Sequence, residues 1–166
     1  MKRLIFVLCC ALAVLTGLHA QQAQGQQIPL DPAVKTGVLP NGLTYYIRHN
    51  QWPEKRADFY IAQKVGSMQE EEDQRGLAHF LEHKMFDLPE GNAMQEFAKY
   101  AGANNAFTSY TMTAYYVECT EHLEENFEIL LRMVTTGYFT DESVQKERGI
   151  IAQEIKMYED SADSAV

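Results

Sequence analysis

The run Arg75-Gly76-Leu77-Ala78-His79-Phe80-Leu81-Glu82-His83-Lys84-Met85-Phe86-Asp87 predicts a helix opening near Gly76 and ending near Asp87. At helical spacing Leu77, Phe80, Leu81, Met85 and Leu88 share one face, and His79, Glu82, His83 and Phe86 share the opposite one. The first face predicts burial against a core. Lys84 falls on that stripe, where its stem can snorkel past Met85 or lie on a face left for another domain. The second face gathers polar groups able to act together.

Working outward, Leu39-Pro40-Asn41-Gly42-Leu43 sets an Asn-Gly turn between two β-prone segments, which predicts a hairpin. Residues 57–65 predict a strand, stopped by Gly66 and the acidic loop 69–73. Beyond the central helix, the pattern predicts a helix over 92–101 before Gly102 and strands over 106–110 and 114–119. Thr120 can cap a helix over 121–136 that Gly137 ends, and Thr140 can cap a last helix to 158. This order predicts an α+β fold, with helices packed on one face of a largely antiparallel sheet, rather than a doubly wound parallel one.

At the N-terminus Met1-Lys2-Arg3 precedes an apolar run over 4–15, which reads as a signal peptide covering residues 1–20. The run is shorter than the roughly 20 residues of a spanning helix. Cleavage is expected after Ala20, with Gly25 as the alternative. Residues 21–35, rich in glutamine at their start, read as a linker, and 36–166 as one domain. Export to the periplasm or the exterior follows, with no stable membrane insertion once the signal is gone. Losing Lys2 and Arg3 would take the formal charge from −9 to −11, which argues against nucleic-acid and anionic-membrane partners. Losing Cys9 and Cys10 leaves Cys119 alone, so neither an internal disulfide nor a thiolate metal cluster is expected.

Histidines at i and i+4 stack two imidazoles within reach of one zinc ion, and a carboxylate at i+3 lands beside them. At ordinary composition this coincidence arises in roughly one chain per hundred, so the motif needs support from elsewhere. A catalytic zinc site calls for a third protein ligand, His, Asp or Glu, and an open position for water. The last helix offers Glu147 and Glu154 along a stripe with Val144, Ile151, Ile155 and Tyr158. Buried acids need partners, and for Glu154 the alternative is an interfacial salt bridge with Lys or Arg.

Arg75 to His83, followed by Glu147-Arg148-Gly149-Ile150-Ile151-Ala152-Gln153-Glu154, resembles the inverted-zincin family of pitrilysin, insulysin and the mitochondrial processing peptidases. Leu39 to Leu43, Val65-Gly66-Ser67 and Asn105-Ala106-Phe107-Thr108 resemble that family's opening turn, a strand end and its substrate-binding edge strand. The resemblance implies a zinc metalloendopeptidase acting on peptides or unfolded proteins. By it, His79, His83 and Glu154 hold one Zn2+ per chain and Glu82 is the general base toward the zinc-bound water. Glu147 is a further catalytic carboxylate supporting the ligands, and Asn105, Ala106, Phe107 and Thr108 bind substrate.

Two departures qualify the resemblance. Lys84 stands where the family usually has an apolar residue, and Asp87-Leu88-Pro89-Glu90-Gly91 lacks the family's usual Gly-Thr. Relatives also resemble a clamshell of two homologous halves, whose second half supplies an Arg and a Tyr to the tetrahedral intermediate. The present chain reads as one incomplete domain of such a clamshell, so a second half or partner chain is expected. A non-catalytic or partner-dependent zinc- or peptide-binding subunit is the competing function. A purely structural zinc site would want a fourth protein ligand, and the sequence offers none.

Overall fold

A computed structural model describes residues 28–160; the expected signal peptide (1–20) and most of the expected linker (21–35) lie outside the described residues. By its contacts the chain divides between Asn50 and Gln51 into two compact units.

In the first unit β1 (Val34–Val38) pairs antiparallel with β2 (Thr44–Arg48), in the register Val38↔Thr44. Gly42 takes φ +88 in the intervening turn, a left-handed conformation open to glycine, and Asn41 Oδ1 accepts from the Leu43 N–H at 3.1 Å. The Asn-Gly turn is therefore where the sequence put it, although β1 begins inside the segment read as linker. Most hairpin side chains are exposed, so this unit buries little of itself.

The second unit holds β3 (Ala57–Gln63), α1 (Leu77–Lys84), β4 (Asp87–Leu88), β5 (Gly91–Asn92), α2 (Ala93–Lys99), β6 (Ala103–Thr108), β7 (Thr113–Cys119), α3 (Leu123–Thr135) and α4 (Asp141–Glu159). Its main sheet runs β3-β7-β6, antiparallel throughout. The registers Phe59↔Val117, Ile61↔Tyr115 and Ala106↔Tyr115 put these residues on one face. Against that face lie Phe86, Leu88, Phe97, Ile129, Leu130 and Met133 from the helices and the short hairpin. Burying each of the larger apolar side chains contributes about 1.5 to 3 kcal/mol.

Helix α3 covers β7 and β3, α2 covers β6 and packs on α3, and α1 covers the β6 end of the sheet and packs on α4. The far face carries Tyr60 stacked on Tyr116 at 4.9 Å and the ion pairs of Arg56 with Asp58 and Glu118. The expected α+β layer is thus the observed one.

Local corrections concern the central helix. It stops at Lys84, not Asp87, because Asp87 and Leu88 enter the β4–β5 hairpin around Pro89-Glu90-Gly91. Each of its two faces is buried in part. On the stripe expected to face the core, Leu77 and Leu81 are exposed but Phe80 and Met85 are half-buried and Lys84 and Leu88 buried; on the opposite one Glu82 and Phe86 are buried and His79 and His83 half-buried. The cause is position: α1 lies between the β6–β7 side of the sheet and α4, so residues of both faces meet neighbours. Lys84 is fully buried rather than snorkelling, with Nζ 2.5 Å from Asp87 Oδ2. On α4 the stripe is buried only in part: Glu147 is buried, Val144, Ile151 and Glu154 are half-buried, and Ile155 and Tyr158 are exposed.

Candidate metal site

Helix α1 starts without a capping side chain of its own, since its N-cap is Gly76 at φ +87. Glu70 fills the gap from the preceding acidic loop. Its two carboxylate oxygens accept the N–H groups of Gly76 and Ala78, each at 2.8 Å. An anion there satisfies orphan donors and complements the positive end of the helix dipole. The sequence reading missed this residue; the available signal was an acidic loop before a helix whose N-cap is glycine.

On the first and second turns of the helix, His79 and His83 bring their Nε2 atoms to 3.1 Å, with the rings edge to face at 89°. Glu154 arrives from α4, with Oε1 3.8 Å from His79 Nε2 and Oε2 3.4 Å from His83 Nε2. All three ligand atoms lie within 4.8 Å of one another. Ligands about 2.1 Å from a tetrahedral zinc stand about 3.4 Å apart, so the donor set of two imidazoles and a carboxylate fits that ion in type and in spacing.

Behind the cluster, His83 Nδ1 lies 2.8 Å from Glu147 Oε1. A carboxylate only accepts, so Nδ1–H donates to it and Nε2 keeps its lone pair for a metal. Glu147 is 7% exposed, so it meets the imidazole where water competes little.

Glu82 shares the helix with the histidines but stands outside the three-residue cluster. It is buried, and the Thr108 hydroxyl donates to its Oε2 at 2.5 Å. Thr108 in turn stands 3.3 Å from Thr113 Oγ1, which donates to the Val65 carbonyl at 2.9 Å. Burial pushes the Tyr115 phenol up to about 12, and the Glu82 charge adds to the rise.

Strand β6 pairs only with β7, so its other edge is open among the described residues. Asn105 and Phe107 project from the sheet face away from the helices, and Ala106 and Thr108 from the helix face. Phe107 is exposed rather than core. A pocket beside the cluster is lined by Ser67, Glu70, Gly76, His79, Thr108, Ser109, Glu154 and Tyr158. Of the four expected substrate residues, Thr108 alone reaches it.

Two helices that clasp a His-His-Glu cluster over an antiparallel sheet form the kind of domain a metallopeptidase builds on. Residues 46–166 match the family described as Insulinase (Peptidase family M16), and the chain belongs to that family.

Several relatives are named as zinc proteases. The probable zinc protease PqqL of Escherichia coli (strain K12) is 30% identical over 173 residues, covering 97% of this chain and 18% of the relative. The uncharacterized zinc protease YmfH of Bacillus subtilis (strain 168) is 50% identical over 88 residues, or 53% of this chain and 21% of the relative. The crystal structure of the periplasmic protease PqqL from Escherichia coli superposes with a TM-score of 0.72 at 29% identity, over 81% of this chain and 16% of that one. The chain spans about a fifth of the length of the curated relatives it matches.

Proposed function

We propose that this chain carries the zinc site of a metalloendopeptidase, with His79, His83 and Glu154 holding one zinc ion and Glu82 serving as general base. The observation that carries this reading is the separation of the two kinds of carboxylate. Glu154 stands 3.4 Å from His83 Nε2, whereas Glu82, one residue before His83, is turned to Thr108 and left out of the cluster. A base must keep a free lone pair, so it must not also be a ligand.

Bound zinc supplies Lewis acidity to an attacking water and to the scissile carbonyl. The chain's own residues do the rest. Glu82 accepts the water's proton, with Thr108 fixing the carboxylate's orientation through Oε2. Glu147 orients His83 by accepting from Nδ1–H. The open edge of β6 over Asn105, Ala106, Phe107 and Thr108 offers main-chain groups to an extended peptide, which gives affinity with little sequence preference. Substrates of this kind are peptides and unfolded proteins. Export to the periplasm or exterior is supported by the Lys2-Arg3 and apolar start of the sequence and by the periplasmic relative.

A partner-dependent reading has one observation in its favour. The residues lining the pocket include neither Arg nor Lys, so nothing among them offers a cation to a developing oxyanion. A second homologous half or a partner chain would supply it.

The deciding experiment measures bound zinc and cleavage of a mixed fluorogenic peptide set by the purified parent and by Glu82→Gln. One zinc in each protein, with activity in the parent reduced about 10²- to 10⁴-fold in the variant, is the expected outcome for a self-sufficient peptidase. Zinc without activity in either moves the assignment to the partner-dependent form, and no zinc in the parent overturns the metal site.

A further inference from the structure

The first residue after His83 is Lys84, a fully buried lysine whose charge takes no part in the chemistry proposed above. Its ammonium faces two groups. Asp87 Oδ2, at the start of β4, stands 2.5 Å away, and the ring of Phe139 lies with its centroid 5.8 Å from Nζ. Asp87 is also 3.5 Å from Asn92 Nδ2, across the β4–β5 hairpin.

Phe139 belongs to the segment that leads from α3 into α4, and the residue after it, Thr140, is the N-cap of α4. The ring lies against Gly137. A Cβ placed on Gly137 would lie 2.7 Å from Phe139 Cε2, so any other residue there would displace the ring. Lys84 therefore links the C-terminal end of α1, which bears His79 and His83, to the entry of α4, which bears Glu147 and Glu154.

Burial of an ammonium is unfavourable unless it is paired, and a methionine of similar reach would fill the same space without that penalty. What the charge adds is direction. A carboxylate and the face of an aromatic ring each attract it from a defined side, so the two helices acquire one preferred spacing.

We propose that Lys84 is a positioning residue for the metal site. It is a buried charged bracket between Asp87 and Phe139 that sets α4 against α1 so that Glu154 reaches the two imidazoles. The proposal rests on the zinc-site reading above and adds a residue that touches neither metal nor substrate.

The test uses the full chain and three variants, Phe139→Leu, Phe139→Tyr and Lys84→Met/Asp87→Leu. Zinc affinity is read by chelator competition, the ligand geometry by the visible bands of the cobalt(II)-loaded protein, and the fold by thermal unfolding of the metal-free protein. Phe139 is half exposed, so its exchange leaves the core in place. The double variant removes both charges together and leaves no buried ion unpaired.

Phe139→Leu is expected to weaken zinc binding about two- to fivefold and the double variant more, each shifting the cobalt bands, with unfolding of the metal-free protein unchanged or later. Phe139→Tyr retains the ring and is expected to keep the parent's affinity and spectrum. Parent-like zinc binding in Phe139→Leu and the double variant overturns the bracket and leaves the metal site standing. A parent chain that takes up no zinc, with His83→Ala indistinguishable from it, overturns the site and the bracket together.

Discussion

Glu82, the base proposed above, is oriented by a contact that no spacing rule describes. Its place at i+3 between two histidines is fixed by the helix, but its separation from them comes from a hydroxyl on another element, Thr108 of β6. Thr108→Val keeps the shape and removes the donor. A hydrogen bond to a charged group contributes about 1.5 to 3 kcal/mol, so peptidase turnover should fall about tenfold to a hundredfold with zinc content unchanged. A parallel loss of zinc would show that Thr108 supports the whole cluster rather than the base. Tyr115 gives a second test at this scale. Its phenol is raised to about 12 in the fold, chiefly by burial, against an ordinary value of 10. The folded state thus holds that proton more tightly than the unfolded one, and the stabilisation is complete below pH 10 and lost as pH rises from 10 through 12. Tyr115→Phe should flatten the decline of stability across that window in chemical denaturation. His79, Glu82 and His83 were legible from their spacing, and Glu154 was chosen over Glu147 only through family resemblance. The hydrogen bond of Thr108 to Glu82 was not legible, because a contact between residues 26 apart leaves no local trace.

At the scale of elements, Glu70 decides how well α1 begins. Gly76 contributes no side chain, so the carboxylate that accepts from Gly76 and Ala78 is the helix's cap although it belongs to the preceding loop. Glu70→Ala should lower stability by about 1 kcal/mol, in the range of lost N-caps. For a chain of this size that is a fall of about 2 to 4 °C in Tm, readable by circular dichroism. Zinc affinity should fall with it, since His79 lies in the first turn; an unchanged Tm would show that water replaces the carboxylate at no cost. The same helix shows where periodicity stops being informative. Spacing separated Leu77 and Leu81 from His79 and Glu82, but it does not say which face turns inward. Ordinary hydrophobicity pointed to the leucines. Packing left Leu77 and Leu81 exposed and buried Glu82 as well as Lys84 and Leu88, because the polar face is completed by Glu147, Glu154 and Thr108, so its buried groups have partners. The β4–β5 hairpin was missed for a related reason: two-residue strands are shorter than any alternation that a sequence window resolves.

Across the whole molecule, the antiparallel layer was readable from element order, whereas the strand order β3-β7-β6 and the division between Asn50 and Gln51 were not. The strand order depends on pairings distant in sequence, such as Ala57↔Cys119. That arrangement has a consequence for α4. Sheet and core side chains meet through α1, α2 and α3, whereas α4 packs chiefly on α1, with its C-terminal residues Ile155, Met157 and Tyr158 exposed. Zinc bound by His79, His83 and Glu154 would therefore act as a clasp between α4 and the rest of the unit. At free zinc 100-fold above Kd, binding to the folded state alone contributes about 2.7 kcal/mol, so chelation should lower Tm measurably. The loss should also be local. Hydrogen exchange after chelation is expected to quicken across Asp141–Glu159, while β7 and α3, whose Val117, Leu130 and Met133 are fully buried, keep their protection. His83→Ala should show the fast α4 pattern with or without zinc. Uniform loss of protection on chelation would instead mean that the metal holds the entire unit together, and unchanged exchange in α4 would mean that the contact with α1 secures the helix without it.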